Sequence, residues 1–475
     1  MRLRERVANP VVGALLRSRA HRLLSGSGAL ITVTGRRTGR PYTLPVVYAR
    51  RDGGVYVLVR RSGRKTWWRN LRRPAAVRLL IAGREQEMVG EALACRVDAG
   101  EGARGHRRRF PRNRLSGGDA VLVRLRARPV AAGDGPAGRT RRIVVARYGG
   151  PEAMRLVEEP LPMPCSGEVR VKRVAAGVSF ADVLIREGGY PGGPRPPLTP
   201  GYDLLGTVDA VGEGVTGLSA GQRVAALTVF GAYADHVCVP APHLVPVPAD
   251  LDPAEAVALV LNYVTAHQML HRVAKAREGE RVLVHGAAGG VGTAALELGR
   301  LAGLHMYGTA GGASTEIVSE LGAHAIDYTR EDFAQRVRQL APRGIDVVLD
   351  GIGGRTSRRS YRLLRPGGRL VMFGHYASLR HGRRDLVRAL EFYAAGALVF
   401  ARAALPGAPT ATIYQVAEWR DRRPDWYRAD LTALFDLLAG GRLSPVIAER
   451  APLEDAPRLH EQLGRGQVVG KQILC

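Results

Sequence analysis

The segment V-L-V-H-G-A-A-G-G-V-G-T-A-A at 282–295 constrains the fold more than any other stretch of the chain. An apolar, β-branched run enters a glycine-rich turn, and a helix-forming run follows at once. Gly286 ends the strand, Gly289 lets backbone approach a pyrophosphate, and Gly292 lets the helix pack closely on the sheet. Ala287, Ala288, Gly290 and Val291 complete the turn, with Ala287 in place of the first glycine of the usual G-x-G-x-x-G. The helix N-terminus offers free N–H groups and the positive end of its dipole to phosphates. A glycine-rich turn without a ligand is the competing reading.

The flanks repeat the same alternation. Strands are expected at Arg281–His285, His305–Thr309, Asp346–Asp350 and Arg369–Phe373, and helices at Val291–Leu301 and Thr315–Leu321. Strand–helix alternation of this kind implies a doubly wound parallel sheet. The second strand ends Gly308-Thr309-Ala310-Gly311-Gly312, with no acid where NAD sites usually place one on the ribose. A carboxylate would repel a 2′-phosphate, so its absence permits NADP(H). Thr309, Ser314, Tyr328 and Arg330 are the candidates for that phosphate. Residues from Arg142 to about 252 are β-rich. The tail is mixed, with helices at 429–439 and 453–463, a strand near 444–448 and a last strand Lys471–Leu474.

Charge separates off the beginning of the chain. The 475 residues carry 70 Lys+Arg against 43 Asp+Glu, a net of +27. Residues 1–140 hold 31 of the basic and nine of the acidic residues, a net of +22. An excess confined to one part points to a separate partner there: nucleic acid, a membrane surface or a polyanionic small molecule. Short strands at Ile31–Thr34, Tyr42–Arg50, Val55–Arg60, Ala75–Ala82, Gln86–Ala94 and Ala120–Arg126, with a hairpin signal at Asp52-Gly53-Gly54, suggest a small β-barrel. Residues 130–141 read as a linker. Cys95, Cys165, Cys238 and Cys475 are widely spaced, so no metal site or disulfide framework is expected. A cytoplasmic setting fits. The amphipathic, basic residues 1–24 are a candidate for peripheral membrane contact.

Residues 142–475, about 70% of the chain, resemble the zinc-independent quinone oxidoreductase group of the medium-chain dehydrogenase/reductase family. The ordered matches are A-G-V-S-F-A-D-V-L-I-R at 176–186, G-G-Y-P at 188–191, P-G-Y-D-L-L-G at 200–206, Asn262-Tyr263-Val264-Thr265-Ala266, the A-A-G-G-V-G turn, D-Y-T-R-E-D-F at 327–333, L-R-P-G-G-R-L at 364–370 and G-K-Q-I-L at 470–474. The resemblance implies a GroES-like catalytic domain (142–261, with 401–475 returning to it) around a Rossmann domain (262–400). It implies NADPH in the cleft and metal-free hydride transfer to a small-molecule quinone or enone. Ser179 stands where family members usually carry Asn. Asp182 and Tyr190 follow it, Tyr190 being the chosen hydroxyl for the acceptor oxygen. By the same resemblance Thr265 lies near the nicotinamide, Gly374 borders the cofactor, and Lys471 belongs to a late Gly-Lys that closes the cleft. Dimers are common among similar proteins.

Within residues 1–129, the stretch 15–128 resembles the deazaflavin-dependent nitroreductase family, whose members are split β-barrels, through V-T-G-R-R-T-G-R-P-Y at 33–42 and S-G-R-K-T-W-W-R-N-L at 62–71. This implies the anionic 8-hydroxy-5-deazaflavin coenzyme as the barrel's ligand. Arg36, Thr38 and Gly39 would lie on its phosphate side, and Lys65, Thr66, Trp67, Trp68 and Asn70 near its tail or ring. The expected class is therefore α/β: an N-terminal split β-barrel, then a GroES-like domain with a Rossmann doubly wound parallel sheet. No nucleic-acid partner is expected on this reading. A reductase fused to a nucleic-acid- or membrane-binding module, or a non-catalytic NADPH sensor, are the alternatives.

Overall fold

The computed structural model describes residues 28–34, 41–51, 54–60, 67–71, 75–81, 84–93, 120–127, 138–190, 193–374, 379–380, 383–384 and 386–475. The basic segment 1–24, Arg36, Thr38, Gly39, Lys65 and Thr66 lie outside the described residues. The chain forms two compact units, one holding the barrel and the other holding Ala137–Pro162, Val169–Val211 and Gly217–Cys475.

In the first unit six antiparallel strands close into a barrel. Their order around it is Gly28–Thr34, Pro41–Arg51, Gly54–Arg60, Ala120–Ala127, Arg84–Leu93 and Ala75–Ile81, and the last pairs back onto the first. Period-two alternation explains the closure. Val55, Val57 and Val59, then Val77, Leu79 and Ile81, then Val121, Val123 and Leu125, all point into one core. The 3-10 turn Trp67–Leu71 adds the side chains of Trp67 and Leu71 to that core.

The second unit contains a six-stranded parallel sheet. Its spatial order is His324–Asp327, His305–Ala310, Arg281–His285, Ile345–Asp350, Leu364–Met372 and Thr410–Ile413. Numbered along the chain this is 3-2-1-4-5-6, with the order reversing between Arg281–His285 and Ile345–Asp350. A ligand crevice opens at such a reversal, beyond the carboxyl ends of the strands. Those two central strands are apolar on both faces, as a sheet covered by helices on either side requires. The sixth strand lies beyond the expected boundary at 400, which falls inside the helix Leu386–Ala403. Strand Thr410–Ile413 has a half-exposed, four-residue pattern too weak to stand out in the sequence.

A second, largely antiparallel sheet runs Val245–Pro246, Arg223–Leu227, Asp203–Val211, Glu168–Val178, Lys471–Leu474 and Ile447–Ala451, with His236–Pro240 also paired to Glu168–Val178. The chain's end therefore returns to this sheet, with Gln472, Ile473 and Leu474 opposite Val178, Gly177 and Ala176. The expected linker ends early. Arg139–Val145 is already a strand, paired with Met154–Pro160, and Ile143 and Val145, two residues apart, are both buried. No helix among the described residues is long and apolar enough to cross a membrane.

The short helix Phe180–Arg186 begins with a reciprocal cap. The Ser179 hydroxyl donates to Asp182 Oδ2 at 2.6 Å, and the Ser179 N–H donates to the same oxygen at 3.0 Å. Asp182 Oδ1 accepts from the Gly201 N–H at 2.9 Å, which ties the helix to the strand that follows. Burial pushes the Asp182 carboxyl up to about 6, against the pull of its hydrogen bonds from Ser179 and Gly201. A folded-state value above the unfolded 3.8 means that the native state holds this proton more tightly. Its stabilising contribution is thus full below about pH 4 and is lost as pH rises towards about 6, an effect on the order of 3 kcal/mol. Asp182→Asn should remove that part of the stability loss between these pH values, measured by denaturant unfolding. An unchanged slope would assign it to other groups.

Candidate functional site

The turn between Arg281–His285 and the helix Gly290–Leu301 is shaped by missing side chains. Gly286 has φ +69°, a left-handed conformation that favours glycine. A Cβ on Gly292 would collide with the carbonyl oxygens of Gly286 and Ala287, so the helix seats directly on the turn. A Cβ on Gly290 would collide with the Asn262 side-chain amide, which lies over the helix start. No side chain caps the helix at Gly289, so the first-turn N–H groups of Gly290, Val291 and Gly292 have no capping oxygen. Ala287 and Ala288 are buried beneath them. Gly374 and Gly351 abut at the ends of the next two strands, where a Cβ on Gly374 would collide with the Gly351 carbonyl. The crevice is therefore lined by main chain, as a pyrophosphate requires.

The second strand's end divides the four phosphate candidates. Ser314, Tyr328 and Arg330 gather around Gly311-Gly312. Tyr328 is 60% exposed with its ring against Gly311, and the Arg330 side chain is 84% exposed. Thr309 is not with them. Its side chain points into the sheet and its hydroxyl bonds His285 Nδ1 at 3.0 Å, while His285 Nε2 bonds the Ser360 hydroxyl at 2.7 Å. Thr309 is buried at 3% exposure and does not offer its hydroxyl to a phosphate. Sequence reasoning missed Asp327, which closes the neighbouring turn by accepting from Gly312 N, Thr329 N and the Thr329 hydroxyl. Those hydrogen bonds hold its carboxyl below the usual range, and Arg330 stands 3.7 Å away.

On the antiparallel sheet the expected residues separate by role. Ser179 and Asp182 are spent on the helix cap and are buried, so neither presents a free group. Tyr190 is half-buried. Its hydroxyl lies 2.8 Å from that of Tyr202, and its ring packs edge-on against Tyr202 and Phe230. Burial raises both phenols, while the Arg420 guanidinium pulls both down. Arg420 reaches this place by donating to the Leu227 carbonyl. Tyr202 lies inside the P-G-Y-D-L-L-G stretch at 200–206 without having been singled out there, and Arg420 lies in no motif. Val229 holds φ +67°, rare for a β-branched residue, with its N–H on the Tyr202 carbonyl. Thr265 sits in the helical run that continues from Pro253–Ala258 through two π-helical turns. Its hydroxyl is buried beside Tyr414 without a well-formed hydrogen bond.

The Lys471 ammonium pairs with Asp203 Oδ2 at 2.9 Å, both side chains buried, so within the late Gly-Lys it is not this side chain that meets the turn at 286–292. The neighbouring Gly470 makes the contact instead, its N–H donating to the Ala288 carbonyl at 2.8 Å. Among the described residues no group of three or more His, Cys, Asp or Glu side chains is placed to hold a metal ion. In the barrel, Trp67 is a core residue, and the Asn70 amide donates to its carbonyl. Trp68 is half-buried, with the Arg69 guanidinium over its ring.

Parts of the chain are similar to known families and proteins. Residues 165–249 match the family model of the alcohol dehydrogenase GroES-like domain, 321–474 that of zinc-binding dehydrogenase, and 12–109 that of F(420)H(2)-dependent quinone reductase. The chain is 33% identical to the synaptic vesicle membrane protein VAT-1 homolog of Danio rerio, over 70% of this chain and 69% of that one. It is 32% identical to the quinone oxidoreductase of Rattus norvegicus, over 70% of this chain and 97% of that one. The Escherichia coli quinone oxidoreductase solved with NADPH superimposes with a TM-score of 0.62 at 29% identity, covering 70% of this chain and 99% of that one. The chain therefore belongs to the medium-chain dehydrogenase/reductase family, as an oxidoreductase of the quinone oxidoreductase kind that also carries a domain of the F(420)H(2)-dependent quinone reductase family.

Proposed function

We propose that the larger unit transfers hydride from NADPH to a quinone or enone-type acceptor, and that the barrel binds a deazaflavin coenzyme. The observation that carries the first part is the uncapped helix start at Gly290, set in a turn where Gly286 and Gly292 leave main chain alone to face a ligand. The N–H groups of Gly290, Val291 and Gly292 would hold the pyrophosphate, and Ser314, Tyr328 and Arg330 the 2′-phosphate. Thr265, buried and short of a hydrogen bond, would meet the nicotinamide end. NADPH supplies the hydride when bound. The protein must then manage the negative charge that develops on the acceptor oxygen.

Tyr190 suits that task. Its hydroxyl is the more accessible member of the Tyr190–Tyr202 pair, and burial keeps it protonated at neutral pH. Tyr202 can donate to Tyr190 and leave the Tyr190 proton free for the acceptor. The same hydrogen bond, with Arg420 nearby, steadies the phenolate left behind. The names of the rat and Escherichia coli relatives support a quinone as acceptor, and the NADPH of the latter supports the cofactor. For the barrel, the support is its family match and the half-exposed Trp68 ring beside Arg69.

Titration of the purified chain with NADPH, NADH and deazaflavin, followed by fluorescence, tests the assignment. NADPH should bind at least about tenfold more tightly than NADH. Arg330→Ala should erase most of that preference and leave NADH binding unchanged. Tighter NADH binding would overturn the cofactor assignment, and no deazaflavin affinity would overturn that of the barrel. Tyr190→Phe should lower kcat about 100-fold while NADPH affinity holds. A kcat equal to the parent's would remove Tyr190 from proton donation.

A further inference from the structure

The last strand of the antiparallel sheet is fastened to the dinucleotide turn. Gly470 donates its N–H to Ala288 and forms a parallel β-bridge with Gly289. It does so at φ +77°, with its Cα against the Val446 carbonyl, where a Cβ would collide. One residue on, the Lys471 N–H donates to Val446 at 2.9 Å, and its side chain crosses Gly177 to reach Asp203. Asp203 holds its orientation by accepting the Gly177 N–H at 2.8 Å on its other oxygen. A second tie runs alongside. Glu297, on the helix that leaves the turn, accepts from the Ser444 N–H at 2.7 Å, two residues before Val446. Asp203, Lys471 and Glu297 are buried, and Asp203 and Lys471 are 268 residues apart in the chain.

We propose that Asp203 and Lys471 are positioning residues for dinucleotide binding: their buried ion pair fixes Gly470 against Ala288 and Gly289, and so sets the turn on which the pyrophosphate rests. Neither side chain touches the cofactor. The ion pair acts through one residue of backbone. If it is lost, a buried ammonium has no partner and must move. Gly470 moves with it, since the two residues share a peptide bond, and the Ala288 carbonyl loses its donor. The reach is specific: the pair should govern affinity for the cofactor and leave the chemical step alone. This inference rests on the NADPH reading above.

Two measurements on the full chain test it. In Asp203→Asn, shape is kept and the buried Lys471 ammonium loses its counter-charge. That variant should melt cooperatively and show KM for NADPH raised about tenfold or more, with kcat at saturating NADPH within about twofold of the parent. A folded variant with an unchanged KM for NADPH, or with kcat and KM lost together, overturns the proposal. Hydrogen exchange of the unmodified chain decides the matter even if the variant does not fold. NADPH should slow exchange at 286–292 and at 468–474 together. Slowing at 286–292 alone overturns the positioning role, and no slowing at either overturns the NADPH reading with it.

Discussion

Gly292 leaves no room for a side chain between its helix and the carbonyls of Gly286 and Ala287, and the larger unit is arranged around that close seat. Because the helix rests directly on the strand end, its unbonded N–H groups open into the crevice where the strand order reverses. The neighbouring strands keep the crevice clear in the same way, by placing Gly351 and Gly374 in mutual contact. Asn262 then covers the helix start, and Gly470 closes the far side.

The contacts that complete this arrangement come from the far end of the chain. The strand Lys471–Leu474 inserts between Ile447–Ala451 and Glu168–Val178, so the antiparallel sheet is unfinished until the last residues are made. Pairing over such sequence separations is slow to form, because the loop must close before its contacts repay the cost. Once formed, it brings Gly470 onto Ala288 and Gly289 of the dinucleotide turn, while the buried pair of Asp203 and Lys471 holds that end of the antiparallel sheet together.

Much of the architecture was legible in the sequence, because its signals are local. The turn at 282–295 and the strand–helix alternation after it require only periodicity and glycine placement, and the barrel strands alternate cleanly at Val55–Val59 and Val121–Leu125. The ordered motifs extended the reading to the return of the chain's end. What was not legible depends on where side chains point in three dimensions. Thr309 stands at the right position for a phosphate but faces His285 inside the sheet. Lys471 belongs to the right segment yet turns to Asp203. Trp67 and Trp68 are adjacent in sequence, and only the second keeps part of its ring in solvent. Tyr202 sits in the P-G-Y-D-L-L-G motif but nothing local marks its hydroxyl, and Arg420 sits in no motif. Their relation to Tyr190 exists only because three separate segments meet.

The buried string Thr309–His285–Ser360 has a consequence for how such a protein changes over generations. It locks the end of the second strand from within, using hydroxyls and an imidazole that solvent does not reach. The groups left facing outward there, Ser314, Tyr328 and Arg330, carry little of the unit's packing. The outward rim can therefore be rewritten one surface residue at a time without touching the interior string that holds the strand's end.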